Sequence, residues 1–203
     1  MPTTSSLEFV LKQDHFKELI SNDMWRIELK YATTDNFMNE DMYHEFNRAF
    51  LHTDALVKLE KASKLLKKYK TDYKFIVYDV LRPRSVQWKM WNKVKGTDHQ
   101  QYIANPESGS NHNFGMAIDL SILDENQQPL DMGTGFDEFS EMSQPRYEER
   151  FIESQELTSL HIKNRKILKD AMEQAGFKQL STEWWHFDAL PRNEIRSQYQ
   201  IVE

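Results

Sequence analysis

The most informative part of the sequence is the stretch Ser110–Asp119, SNHNFGMAID, which continues as LSI to residue 122. Its apolar part, 114–122, predicts a largely buried strand with His112 at its mouth. Asp119 lies inside the apolar run, where burying a carboxylate without a partner costs several kcal/mol. A metal would suit, since zinc accepts carboxylate and imidazole ligands. An Arg or Lys partner, or a turn capped by Asp119, is the alternative that this stretch leaves open.

A second polar pair, Glu183 and His186, lies in the aromatic stretch EWWHFD. Residues three apart point to opposite faces of a regular strand, so the segment must bend if both residues serve one site. Trp184, Trp185 and Phe187 would then form a water-poor wall, which strengthens electrostatic interactions. The alternative is a buried aromatic strand end with no chemical role.

A third polar residue, Arg82, follows the apolar run YKFIVYDVL (73–81) and directly precedes Pro83. A guanidinium on such a rigid mount suits an oxyanion or a carboxylate, and a structural salt bridge is the alternative. Combined, the three groups offer two His and one Asp as metal ligands, which is the pattern of catalytic zinc with one position left for water. Glu183 then fits a general base and Arg82 an oxyanion stabiliser.

The composition argues against several classes of protein. The 203 residues include 26 Lys and Arg against 32 Asp and Glu, a net charge of −6 without a long basic run, which argues against nucleic acid or a membrane as partner. There is no cysteine, so disulfides and thiolate–metal sites are excluded. The sequence holds no apolar stretch of about 18 residues, as a spanning helix needs. The segment 1–16 lacks the basic and apolar regions of a secretory signal. The expected location is the cytoplasm, or the periplasm if an upstream signal has been removed.

Periodicity predicts helices and strands in mixed order. Strands are expected at 25–32, 73–81, 114–122 and 177–189, and helices at 53–70 (capped by Thr53 or Asp54), 84–94 and 157–175 (ended by Gly176). No repeat or linker separates them. We therefore predict a single domain over residues 1–203, of the α+β class, with a mostly antiparallel central sheet covered by helices.

The motifs resemble those of a known family. SNHNFGMAID resembles the Ser-x-His-x-x-Gly-x-Ala-x-Asp motif, and EWWHF the Glu-x-x-His motif, of the zinc D-alanyl-D-alanine peptidases related to hedgehog-like domains. LKYATTDNF (29–37), LRP (81–83) and MGTGFDEFSE (132–141) resemble, in order, segments of the VanX-type D-alanyl-D-alanine dipeptidases. The similarity spans roughly residues 25–190. It departs over the first 20 residues and at the polar stretch 95–107, which would affect the rim of the pocket.

The resemblance implies a hedgehog/D,D-peptidase-like fold and a role for each matching residue. His112, Asp119 and His186 would bind one zinc ion per chain. Glu183 would be the general base and acid, and Arg82 would act with zinc to stabilise the tetrahedral intermediate.

The resemblance also implies a substrate pocket. Asp137 occupies the position that holds the substrate's ammonium group in the family, and Tyr31 and Ser110 occupy positions that line the dipeptide pocket. The implied activity is hydrolysis of the small dipeptide D-alanyl-D-alanine to two D-alanines. The alternatives are a D,D- or L,D-carboxypeptidase acting on peptidoglycan stem peptides, and a non-catalytic zinc-binding module. A role in glycopeptide resistance or in wall recycling, and the oligomeric state, stay open.

Overall fold

The computed structural model describes residues 4–203. The first three residues, which belong to the predicted domain and to the segment 1–16 considered as a possible signal, lie outside this range. Within this range the helices are α1 (Thr4–Leu11), α2 (Thr53–Leu66), α3 (Arg84–Val94), α4 (Glu148–Glu153), α5 (Ser159–Ala175) and α6 (Arg192–Gln198). The strands are β1 (Phe16–Glu18), β2 (Trp25–Ile27), β3 (Phe50–His52), β4 (Lys74–Asp79), β5 (Ala117–Leu123), β6 (Lys178–Gln179) and β7 (His186–Asp188). None of the helices described is long and apolar enough to cross a membrane.

The central sheet has five strands in the order β2-β4-β5-β7-β6. The β2–β4 pair is parallel and the other three pairs are antiparallel. A separate antiparallel pair, β1–β3, lies outside this sheet. The predicted α+β class with a mostly antiparallel sheet is therefore confirmed.

One face of the sheet carries the main hydrophobic core. Alternation along β5 turns Ile118, Leu120 and Ile122 toward α2 and α5, and Asp119 toward the opposite face. The buried residues of this core include Leu59, Leu66, Phe75, Val77, Ile118, Leu120, Ile122, Leu168, Met172 and Phe187. The helical face therefore supplies the main packing, and the opposite face carries Asp119 beside a smaller apolar cluster of Ile76, Tyr78 and Leu123.

The opposite face is covered by the 124–147 loop. Phe136 of this loop packs on Tyr78 with 4.9 Å between ring centroids, and on Trp185 with 5.5 Å. Every residue of β5 is buried as a result. This double cover explains why the sequence of β5 reads as a nearly continuous apolar run.

Two predicted strands are shorter than the sequence indicated. The expected strand at 25–32 was wrong beyond Ile27, because Lys30–Ala32 forms a short 3-10 helix. The expected strand at 114–122 starts only at Ala117, because Asn111–Phe114 is also a 3-10 helix. Gly115 ends that helix at φ +65, a left-handed conformation that glycine adopts without strain.

The ends of the predicted elements also differ. Helix α2 ends at Leu66 rather than residue 70, and its N-cap is His52, whose Nδ1 accepts from the Asp54 N–H at 3.2 Å, not Thr53 or Asp54. The expected strand at 177–189 is a hairpin of β6 and β7. Gly176 ends α5 at φ +103, as predicted.

Candidate metal and catalytic site

Three strands place the polar residues in one row. In the register of the sheet Asp119 of β5 pairs with Asp79 of β4 and with His186 of β7. The β4–β5 register shifts between Val77 and Asp79, so this irregularity brings the Asp79 side chain opposite Asp119. Antiparallel partners present their side chains on the same face, so the row lies on the face away from α2 and α5.

His112 reaches the row from the 3-10 helix that precedes β5. Ser110 caps this helix: its Oγ accepts from the His112 N–H at 3.3 Å, and its own N–H donates to Asn113 Oδ1 at 2.7 Å. The His112 Nδ1–H donates to the Val80 carbonyl at 2.7 Å. A carbonyl can only accept, so Nδ1 of His112 carries a proton and Nε2 is the nitrogen that faces the row.

The three predicted ligand residues converge on one point. One donor atom from each of His112, Asp119 and His186 lies within 4.8 Å of the others, and all three residues are buried. The Nδ1 atom of His186 lies 2.9 Å from Asp119 Oδ1, and Nε2 of His112 lies 3.3 Å from Asp119 Oδ2. Burial alone would raise the pKa of Asp119, but the charge of His112 and hydrogen bonds from both imidazoles hold that pKa below its usual range. Two imidazole nitrogens and a carboxylate oxygen are a donor set that fits a metal ion.

Glu183 lies beside this set because the chain turns between β6 and β7. Its Oε2 is 4.0 Å from Nδ1 of His186, and its side chain is 14% exposed. Burial raises the pKa of Glu183 to about 7, and the negative charge of Asp119 adds to this shift against the effect of His186. A carboxyl group with a pKa near the working pH is well suited to exchange protons.

The shift on Glu183 gives a direct prediction for the metal-free protein. We expect the carboxyl carbon of Glu183 to titrate with a midpoint near 7 in 13C NMR, above the ordinary glutamate value, because burial disfavours the charged form. Adding a metal cation at the row should move the midpoint down, because a nearby positive charge favours the carboxylate. An ordinary midpoint in the metal-free protein would contradict the buried position of Glu183.

Arg82 is held rigidly at the same cavity. Its Nε donates to Asp79 Oδ2 at 3.0 Å, and its Nη1 donates to Gln87 Oε1 at 2.9 Å. Its guanidinium lies 4.9 Å from the ring centroid of Tyr31, and Nη2 is 4.0 Å from Asp119. The structure thus contains the salt bridge that was the alternative for Arg82, and the same bridge aims the guanidinium at the cavity.

Asp137 approaches the site from the covering loop. It adopts a left-handed conformation with φ 59, and its buried Oδ2 atom has no hydrogen-bond partner. Burial raises the pKa of Asp137 well above its usual value; the charge of Asp119 adds to the shift, and Tyr31 and Arg82 partly offset it. A buried carboxylate oxygen without a partner, in an open cavity, is suited to a positively charged ligand group.

These residues line a single cavity of about 550 Å³. All eight residues predicted from the sequence contribute to it: Tyr31, Arg82, Ser110, His112, Asp119, Asp137, Glu183 and His186. The polar stretch 95–107, where the family resemblance fails, supplies Tyr102 and Ile103 to its wall. A cavity of this volume is in the range of small-molecule sites.

The prediction that Trp184, Trp185 and Phe187 form a wall of the site was correct for only one of them. Trp185 lines the cavity. Phe187 is buried in the main core, because its neighbours His186 and Asp188 occupy the other face of β7. Trp184 faces a different cavity, and its Nε1–H donates to Thr134 Oγ1 at 2.8 Å.

Several supporting residues were not singled out from the sequence. Asp79 accepts hydrogen bonds from Arg82 and from the Tyr43 hydroxyl, and it is fully buried. The sequence could have indicated Asp79, since burying a carboxylate inside the apolar run KFIVYDVL requires a partner, as it does for Asp119. Asp188 accepts from Nε2 of His186 at 3.0 Å, and strand alternation over two residues would have indicated the shared face. Nothing in the sequence indicated Gln87.

A carboxylate and a guanidinium beside a metal-binding triad are the groups with which metallopeptidases cleave amide bonds, and the fold and site here define that class. Comparison with known families agrees. The family described as D-ala-D-ala dipeptidase, a peptidase family, matches residues 13–202. The chain belongs to this family.

Individual relatives support the assignment. The chain is 36% identical over 166 residues to a D-alanyl-D-alanine dipeptidase of Escherichia coli (strain K12), covering 82% of this chain and 79% of that protein. It is 29% identical over 188 residues to a D-alanyl-D-alanine dipeptidase of Enterococcus faecium, covering 84% and 87%. A protein of the same name from Synechocystis is 29% identical, with 68% of each chain covered.

Proposed function

We propose that the chain hydrolyses D-alanyl-D-alanine to two D-alanines with one zinc ion held by His112, Asp119 and His186. The observation that carries the proposal is the convergence of these three donors in the same cavity as the unpartnered oxygen of Asp137. The relatives, named D-alanyl-D-alanine dipeptidases, support the same substrate. Zinc fits the all-nitrogen-and-oxygen donor set of a chain without cysteine.

When bound, zinc would act as a Lewis acid and lower the pKa of a water toward about 7. Glu183 would take the proton from the attacking water, because its carboxyl group lies beside the metal set and outside it. It would then pass that proton to the leaving amine. Arg82 would hold the developing negative charge on the carbonyl oxygen, with its guanidinium fixed by Asp79 and Gln87.

The remaining pocket residues would select the ends of the substrate. Asp137 would pair with the free ammonium group, which would satisfy its unpartnered Oδ2 atom. Tyr31 lies under the Arg82 guanidinium and would close the pocket on that side. Ser110 would contribute mainly by holding the turn that carries His112.

The test is activity of the purified chain at defined metal content. The protein carrying one zinc should release two D-alanines per D-alanyl-D-alanine, and a chelator should abolish the release until zinc is restored. A chain that binds zinc at the site and releases no D-alanine would support a non-catalytic zinc-binding module instead.

Arg82→Lys tests the proposed oxyanion role. Lysine keeps the charge but not the planar fork held by Asp79 and Gln87, so kcat should fall by about 10²–10³, the effect of losing one such donor, with KM changed much less. Arg84→Lys, two residues away in an exposed pair with Glu203, is the matched control. A normal kcat with a greatly raised KM would reassign Arg82 to binding the substrate carboxylate.

Substrate blocking separates the dipeptidase from the carboxypeptidase. N-acetyl-D-alanyl-D-alanine and longer stem peptides should be cleaved at least ~10²-fold less efficiently than the free dipeptide, because they leave the buried Asp137 unpaired. Asp137→Asn should shrink that gap in kcat/KM, since it removes the charge that demands an ammonium group. Equal kcat/KM for free and blocked substrates would favour the carboxypeptidase.

We further propose that residues 1–203 act as one domain. The single five-stranded sheet and the family match over residues 13–202 support this. The cytoplasm, where such dipeptides serve as wall precursors, remains the proposed location, with the periplasm as the alternative.

A further inference from the structure

A chain of hydrogen bonds leads from His186 to the surface helix α6. The Nε2 atom of His186 faces Asp188 Oδ1 at 3.0 Å. The Asn111 side chain donates a hydrogen bond to Asp188, and Asn111 Oδ1 accepts from Nη1 of Arg196 at 3.2 Å. Arg196 also donates to the carbonyls of Ser108 and Gly109, in the loop that leads to His112.

The two ring nitrogens of His186 face different groups. Its Nδ1 atom faces Asp119 and the Nε2 atom of His112, so the opposite ring nitrogen is the one that meets Asp188. Both ring nitrogens therefore face a carboxylate, but Asp119 belongs to the metal set and Asp188 does not. With a metal bound, Nδ1 would give its lone pair to the ion, and Nε2–H would donate to Asp188, which only accepts. Metal-binding histidines commonly donate their second N–H in this way, and the partner fixes the tautomer and the ring orientation.

We infer that Asp188, held by Asn111 and through it by Arg196, is a positioning residue that orients His186 for metal binding. The inference rests on the proposed metal site. The two other ligands are held differently: His112 by the Val80 carbonyl, and Asp119 within β5. Asp188 is therefore the carboxylate that would set the tautomer of His186, while Arg196 ties it to the loop carrying the other histidine.

Removing Asp188 should weaken metal binding, because His186 loses the hydrogen-bond acceptor that fixes the orientation of its ring. In Asp188→Ala the Kd for Zn2+, measured by competition with a chromophoric chelator, should rise about 10–100-fold. Asp188→Asn should also weaken Zn2+ binding, since the neutral amide accepts a weaker hydrogen bond from His186 than a carboxylate does, and its NH2 group cannot accept at all. Asp188→Glu keeps the carboxylate and should recover part of the affinity.

The chain offers a matched control. His161 Nε2 and Asp131 Oδ2 form a second histidine–carboxylate contact at 3.2 Å, away from the row. Asp131→Asn should leave the Zn2+ Kd unchanged. The visible absorption of the Co2+-loaded protein is a second readout: it should change in Asp188→Ala and stay as in the wild type in Asp131→Asn, because it reports the geometry of the ligands.

Asn111→Ala tests the same series of hydrogen bonds and leaves the contact between His186 and Asp188 in place. It should raise the Zn2+ Kd by less than Asp188→Ala does. If Asp188→Ala does not fold, the Zn2+ Kd of Asn111→Ala becomes the test of the inference. A Zn2+ affinity within about twofold of wild type in folded Asp188→Ala would overturn the inference alone, as would the same result in Asn111→Ala where Asp188→Ala does not fold. A wild-type chain that binds no Zn2+ at this site would overturn the proposed function as well.

Discussion

Replacing His112 with alanine is expected to remove the metal and the activity together. His112 supplies the Nε2 atom of the three-donor set, and the two remaining donors cannot make the usual three protein ligands of catalytic zinc. The loss of Zn2+ affinity should exceed the 10–100-fold typical of outer-shell changes. Dialysed protein should therefore contain far less than one zinc per chain by elemental analysis, and D-alanine release should fall to the level of the chelated wild type.

His161→Ala is the control for this experiment. His161 is also hydrogen-bonded, to the Thr158 N–H and to Asp131, but it lies in the capping turn of α5. Its loss should cost about 1 kcal/mol of stability, as for a lost helix cap, and leave the zinc content at one per chain. Full zinc content in His112→Ala would show that the metal uses other ligands.

Glu183→Gln should also cause a large loss of activity, but unlike His112→Ala it should keep its zinc. The amide is close to the carboxyl group in shape but cannot take a proton from water, so kcat should fall by about 10²–10⁴. Zinc should stay near one per chain, because Glu183 lies outside the donor set. The paired measurement of kcat and zinc content distinguishes a base from a ligand, and loss of zinc would make Glu183 a ligand.

Stability provides an independent check on Glu183→Gln. A carboxyl group whose folded pKa is raised to about 7 destabilises the metal-free protein increasingly as the pH rises from its unfolded pKa through 7. The neutral amide lacks this penalty, so the metal-free variant should be at least as stable as wild type at pH 8 in urea unfolding. Glu173→Gln on the exposed side of α5 should change neither kcat nor stability appreciably.

The sequence determined the main helices, the fold class and the candidate site residues. Apolar periodicity located the helices of the core because one face of each must be buried. Asp119 stood out because a carboxylate in an apolar run needs a partner. Family motifs supplied Asp137 and Tyr31, whose local sequence carries no signal of its own.

Tertiary structure decided how these residues meet. The irregular β4–β5 register, which a linear pattern does not encode, brings Asp79 opposite Asp119. The bend between β6 and β7 brings Glu183 and His186 together, although a regular strand would separate them.

The difference has a physical reason. Periodicity reports which side of an element is buried, and it depends only on neighbours along the chain. Hydrogen bonds such as those of Gln87 to Arg82 and of Asn111 to Asp188 depend on which backbone segments cross in space. The linear sequence therefore predicts which residues form the candidate site, whereas the contacts that hold each of them in place arise only when distant segments meet in the fold.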